Sequence, residues 1–82
     1  VKKTRQSKQK NIIGRRVRLA RGMRRPPVSQ EDLSGRLARL GIQVTQTSIS
    51  KLENGQRYLM DYEIVAIAKA LKVSVAWLFE NH

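Results

Sequence analysis

The stretch TQTSISKLENG, Thr45 to Gly55, decides how this chain folds. At 3.6 residues per turn, Ile49 and Leu52 fall on one side of a short helix, and Gln46, Thr47, Ser50 and Lys51 are turned away from them. Thr45 supplies an oxygen to the unpaired N–H groups of the first turn. Gly55 supplies the left-handed conformation that commonly follows a last turn. A helix bounded in this way, with one apolar face and one face of short hydrogen-bonding side chains, packs its inner side on other helices and leaves its outer side to a polar partner.

The flanking sequence supplies those other helices. Upstream, Ser29 and Asp32 three residues later resemble a capping box, and Leu33, Leu37 and Leu40 make an apolar stripe that Gly41 ends. Earlier still, Ile13, Val17 and Ala20 repeat at helical spacing on a segment that also carries Arg15, Arg16, Arg18 and Arg21, closed by Pro26 and Pro27. Downstream, Asp61 is expected to cap a fourth helix with Ile64, Ile67, Ala68 and Leu71 facing inward. Ser74 is expected to cap a short fifth one holding Val75, Trp77, Leu78 and Phe79. No strand-like alternation or internal repeat competes, so the fold class is all-α, a compact bundle of five helices. Val1 to Asn11 has five basic residues and no acid, which predicts a basic flexible tail over residues 1–11 ahead of one domain over 12–82.

Charge narrows the partner. The 82 residues carry a formal net charge of +11. Thirteen of the seventeen Lys and Arg lie in residues 1–39 against only Glu31 and Asp32, whereas residues 40–82 balance. So concentrated a field attracts polyanions, and nucleic acid or an anionic membrane surface are the usual ones. No apolar run approaches the roughly 18 residues needed to span a bilayer. The chain has no Cys, which fits a reducing compartment, and a cytoplasmic location of bacterial or phage type is the expectation. Catalysis is not expected: His82 is the only histidine, and the six acids show no paired-carboxylate or metal-ligand spacing. No cofactor or metal is implied.

The outward side chains of the Thr45 to Gly55 helix suit one polyanion in particular. Gln pairs with adenine N6 and N7 through two hydrogen bonds, Lys donates to guanine O6 and N7, and the Thr methyl packs on a thymine methyl. Gln46, Thr47, Ser50 and Lys51 are therefore the candidate base readers, the plain alternative being a solvated helix face. Arg15, Arg16, Arg18, Arg24 and Arg25 crowd one segment without local acids, so phosphate neutralisation is the preferred reading, with Arg18 taken as a site residue. Arg57, in the loop beyond the helix, is a further phosphate candidate. Arg36 and Arg39 have Glu31 and Asp32 nearby for weak surface pairs, and the tail lysines either follow a minor groove or only solubilise.

Four segments, IGRRVRLAR, SQEDLS, SISKLENG and IVAIAKALKVSVAWLF, stand in an order that resembles the helix-turn-helix regulators of the Cro and phage-repressor type. The resemblance covers Ile13 to Phe79 and implies a lambda repressor-like DNA-binding domain. It implies that Gln46, Thr47, Ser50 and Lys51 face the major groove, that Gln30 and Asn54 hold phosphates, and that Arg21 pairs with Glu53. The chain departs from the pattern in a longer connection over Arg39 to Val44, in Ser34 where the family usually has Ala, and in a slightly longer loop over Arg24 to Val28.

The function expected is sequence-specific double-stranded DNA binding by a transcriptional regulator, a repressor acting as a homodimer on a palindrome with half-sites roughly 34 Å apart. The alternative is a protein-interaction module, an antitoxin holding its toxin or a bridging factor. Its mark would be an exposed apolar patch around Tyr58, Leu59, Trp77 and Phe79.

Overall fold

The computed structural model describes residues 9–80, which form α1 (Gly14–Met23), α2 (Gln30–Arg39), α3 (Gln46–Glu53), α4 (Asp61–Leu71) and α5 (Val75–Leu78), with no strand among them. Helices α2 and α3 pack on each other, α1 lies against α3, and α4 closes the core from the far side with α5 behind it. Ile13, Val17, Leu33, Leu37, Ile49, Leu52, Ile67, Leu71 and Leu78 are fully buried. Removing each such side chain from water contributes roughly 1.5–3 kcal/mol. No helix among the described residues is long and apolar enough to cross a membrane.

Helix boundaries follow local chemistry. Ser29 Oγ accepts the Asp32 N–H at 2.9 Å while the Asp32 carboxylate accepts the Ser29 N–H at 3.4 Å, a reciprocal cap. Thr45 Oγ1 accepts from the Ser48 N–H at 3.1 Å, and Ser74 Oγ from the Trp77 N–H at 2.9 Å. Helix α4 differs from expectation. Its cap position is Met60, whose N–H is bound by the Glu63 carboxylate at 2.9 Å, and Asp61 is the first helical residue instead of the cap.

Two apolar positions also depart from the reading of the stripes. Leu40 is 46% exposed because α2 ends at Arg39 and Gly41, at φ 86°, turns the chain before Leu40 can continue the inner face. Val75 is 37% exposed, since α5 has only one turn, with Leu78 buried beneath it and Trp77 and Phe79 packed against the edge of the core. Most of the expected tail, residues 1–8 with Lys2, Lys3 and Lys8, lies outside the described residues. Lys10 and Asn11, however, belong to the ordered body. The Lys10 N–H donates to the Gly55 carbonyl at 2.8 Å, and Asn11 Nδ2 donates to the carbonyls of Leu52 at 3.0 Å and Arg57 at 2.8 Å. Asn11 Oδ1 in turn accepts from the N–H groups of Ile13 and Gly14 and starts α1.

Candidate nucleic-acid interface

Helix α3 presents its polar side outward. Gln46, Thr47, Lys51 and Asn54 are exposed and Ser50 is half-buried, while Ile49 and Leu52 are sealed beneath. The longer connection before α3 does not cover these side chains. Beyond the helix, Gly55 adopts φ 75°, which lets the Gln56 N–H reach the Lys51 carbonyl at 2.8 Å and the Gly55 N–H reach that of Leu52 at 3.1 Å. This double closure satisfies the last carbonyls and turns Asn54 out at the helix end.

A buried polar cluster fixes α3 relative to α1 and α2. Arg21 Nε and Nη2 donate to the two carboxylate oxygens of Glu53 at 2.6 and 2.8 Å, and Gln30 Nε2 donates to Glu53 Oε1 at 3.0 Å. Arg21 Nη1 also holds the Val28 carbonyl at 2.9 Å, so one guanidinium joins α1, the loop before α2 and the end of α3. A forked pair of this kind sets orientation as well as attraction. The side chain of Gln30 is thereby engaged within the protein, with one amide N–H left for an outside acceptor.

Close approach of α1 to α3 depends on Gly14. A Cβ at that position would fall on the Leu52 carbonyl oxygen and come within 2.9 Å of the Glu53 carbonyl oxygen. The signal that Gly14 is a packing residue is tertiary, a neighbouring backbone that no local pattern announces.

The arginines divide into free and engaged groups. Arg18 lies four residues after Gly14 and three before Arg21, so it sits along the edge of α1 that borders α3, and it is exposed, as is Arg15. No carboxylate among the described residues pairs with either. Arg16, by contrast, stacks on the Trp77 ring at 3.7 Å, donates to the Trp77 carbonyl at 3.1 Å and approaches Glu80 at 3.5 Å. It ties α1 to α5, which corrects its assignment to phosphate. Arg24 is half-buried, and Arg25 donates to the carbonyls of Gly22 and Arg24. Arg36 donates to the Ala70 carbonyl at 2.9 Å, at the negative end of α4, instead of pairing with Glu31 or Asp32.

Arg57 is also engaged within the protein. Both of its terminal nitrogens face Glu63, at 3.3 and 2.9 Å, and one also donates to the Tyr58 carbonyl. Burial raises the Glu63 pKa, but the hydrogen bonds from Arg57 and the Met60 N–H, with the Arg57 charge, outweigh it and hold the carboxylate below its ordinary 4.5. Arg57 is therefore a strut between the loop and α4, with its side chain 28% exposed.

The apolar patch that would mark a protein-interaction module is only partly present. Tyr58 is 71% exposed, but Leu59, Trp77 and Phe79 are half-buried and packed against the core, with Arg16 over the indole. What the surface offers is an exposed polar helix beside unpaired arginines. Such an arrangement can neutralise phosphates and place donors and acceptors at base edges. Neither curated proteins nor solved structures give a match to the chain. Residues 15–78 match the helix-turn-helix family, and the chain belongs to that family of Cro and C1-type DNA-binding transcription regulators.

Proposed function

We propose that this domain represses transcription by occupying a palindromic operator as a symmetric homodimer. Helix α3 enters the major groove, Gln46, Thr47, Ser50 and Lys51 read base edges, and Arg18, Asn54 and the remaining amide N–H of Gln30 hold phosphates. The observation that carries the reading is the outward face of α3, which is uncovered and has Arg18 along its border. One α3 spans only a few base pairs, so a second copy related by two-fold symmetry supplies the rest of the site.

Selection of bound sequences from a random duplex pool at physiological salt, with sedimentation of the resulting complex, tests this proposal. A two-fold symmetric consensus bound by two copies is the expected result. On that consensus, Lys51→Ala relaxes preference at one base position in each half-site. Arg18→Ala weakens all sequences alike and lowers the salt slope by about one unit per site. A pool that yields no consensus, or a Lys51→Ala variant that loses affinity equally for every duplex, refutes base reading by α3.

A further inference from the structure

The connection between α2 and α3, from Leu40 to Thr45, is held more firmly than its length suggests. Gly41 lets the Ile42 N–H reach the Leu37 carbonyl at 2.9 Å, and the Ser34 hydroxyl donates to the Val44 carbonyl at 2.6 Å. Ile42 packs against the core and Val44 is 7% exposed, whereas Gln43 between them is exposed. With both neighbours turned inward and the next carbonyl fixed, the Gln43 side chain is directed outward just ahead of the α3 cap, Thr45. In helix-turn-helix domains this N-terminal end of the third helix meets the bases.

We infer that Gln43 is a further base-reading residue, contacting a base pair next to the one read by Gln46, and that Ser34 is its positioning residue. The inference rests on the DNA-binding reading above. A glutamine amide presents a donor and an acceptor in one plane, the pairing that matches adenine N6 and N7. The serine in α2 and the longer connection, two separate departures from the family pattern, have one physical explanation. The hydroxyl of Ser34 ties down the connection that carries Gln43.

The test repeats the selection with Gln43→Ala, Ser34→Ala and, in parallel, Lys51→Ala, each first shown by circular dichroism to be folded. Gln43→Ala is expected to lose preference at one base pair outside the Lys51 position. Its discrimination there falls roughly 5- to 150-fold while every other position keeps its preference. Ser34→Ala blurs that same position and leaves the Lys51 position intact. If Lys51→Ala relaxes its own position but Gln43→Ala changes nothing, or weakens all duplexes equally, the inference about Gln43 is overturned and the reading by α3 stands. If no variant alters any preference, both are overturned together.

Discussion

Replacing Glu53 by Gln tests whether the buried cluster at the end of α3 holds the domain together. The Glu53 side chain is 3% exposed and accepts three hydrogen bonds, two from Arg21 and one from Gln30. Glutamine keeps the shape but has one acceptor oxygen, so in either orientation its amide nitrogen points at a donor, from Arg21 or from both Arg21 and Gln30. At least one charge-assisted bond is lost, worth about 1.5–3 kcal/mol. The Arg21 charge, 16% exposed, also loses its counter-charge, a situation in which removing one partner costs about 3–5 kcal/mol. Arg21 keeps its bond to Val28 and some access to water, which places the total near the lower end, about 3 kcal/mol. For a domain of this size the melting midpoint then falls by roughly 12–24 °C. Thermal and urea unfolding followed by circular dichroism measure it, and a midpoint within about 4 °C of the parent refutes the reasoning. The double variant Arg21→Met, Glu53→Met adds a control. Its loss should fall short of the summed single losses by more than about 1 kcal/mol, and simple additivity would show that the two groups are not coupled.

Three other perturbations have definite signs. Gly14→Ala drives a methyl into the backbone of α3 and should lower stability by about 1–3 kcal/mol, read as a lower urea midpoint; an unchanged midpoint would mean that α1 and α3 do not touch there. Lys72 closes α4 at φ 60°, so Lys72→Gly should raise stability by about 0.5–1 kcal/mol, and any loss in the same assay counts against that backbone geometry. The contribution of Glu63 is fully present above its ordinary 4.5 and is lost as pH falls through its lowered folded value. Urea midpoints taken from about pH 6 to about pH 3 should therefore drop more steeply for the parent than for Glu63→Gln, and parallel curves would remove the carboxylate from the acid response.

The parts of the fold legible in the sequence are those written by neighbours along the chain. Caps at Ser29, Thr45 and Ser74 and the stops at Gly41 and Gly55 need only a few consecutive residues, and the inner stripes at Leu33, Leu37, Ile49 and Leu52 need only a period. The same period orients Gln46, Thr47 and Lys51 outward. Where a period runs past the true end of a helix it misleads, as at Leu40. The cap of α4 is misread for a related reason. Asp61 is a good capping residue, but Glu63 lies at the spacing that lets it reach back to the Met60 N–H. The arginines were least legible, because each choice of partner is tertiary. Arg16 finds Trp77, Arg36 finds Ala70 and Arg57 finds Glu63, and nothing within a few residues of any of them separates these from the exposed Arg18.

The distribution of acids explains why the basic face stays basic. Glu31, Asp32 and Asp61 lie in first turns, where a negative charge is favoured by the exposed N–H groups of the helix end. Glu63 is in the first turn of α4 as well and also holds Arg57, Glu53 is sealed against Arg21, and Glu80 meets Arg16. Each of the six acids in the chain thus has a position within the scaffold, and none is exposed on α1 or α3. An exposed carboxylate on either helix would neutralise Arg15 or Arg18 locally and repel a phosphate backbone. With the acids used at helix ends and in buried pairs, the residues that stiffen the domain also leave its field directed at the surface α3 presents. Moving a single acid outward, as in Gln46→Glu, should leave the melting midpoint near that of the parent while lowering affinity for every duplex, in addition to altering preference at the base position Gln46 reads. A variant that lost stability but kept its affinity would show that the field and the scaffold are not separated in this way.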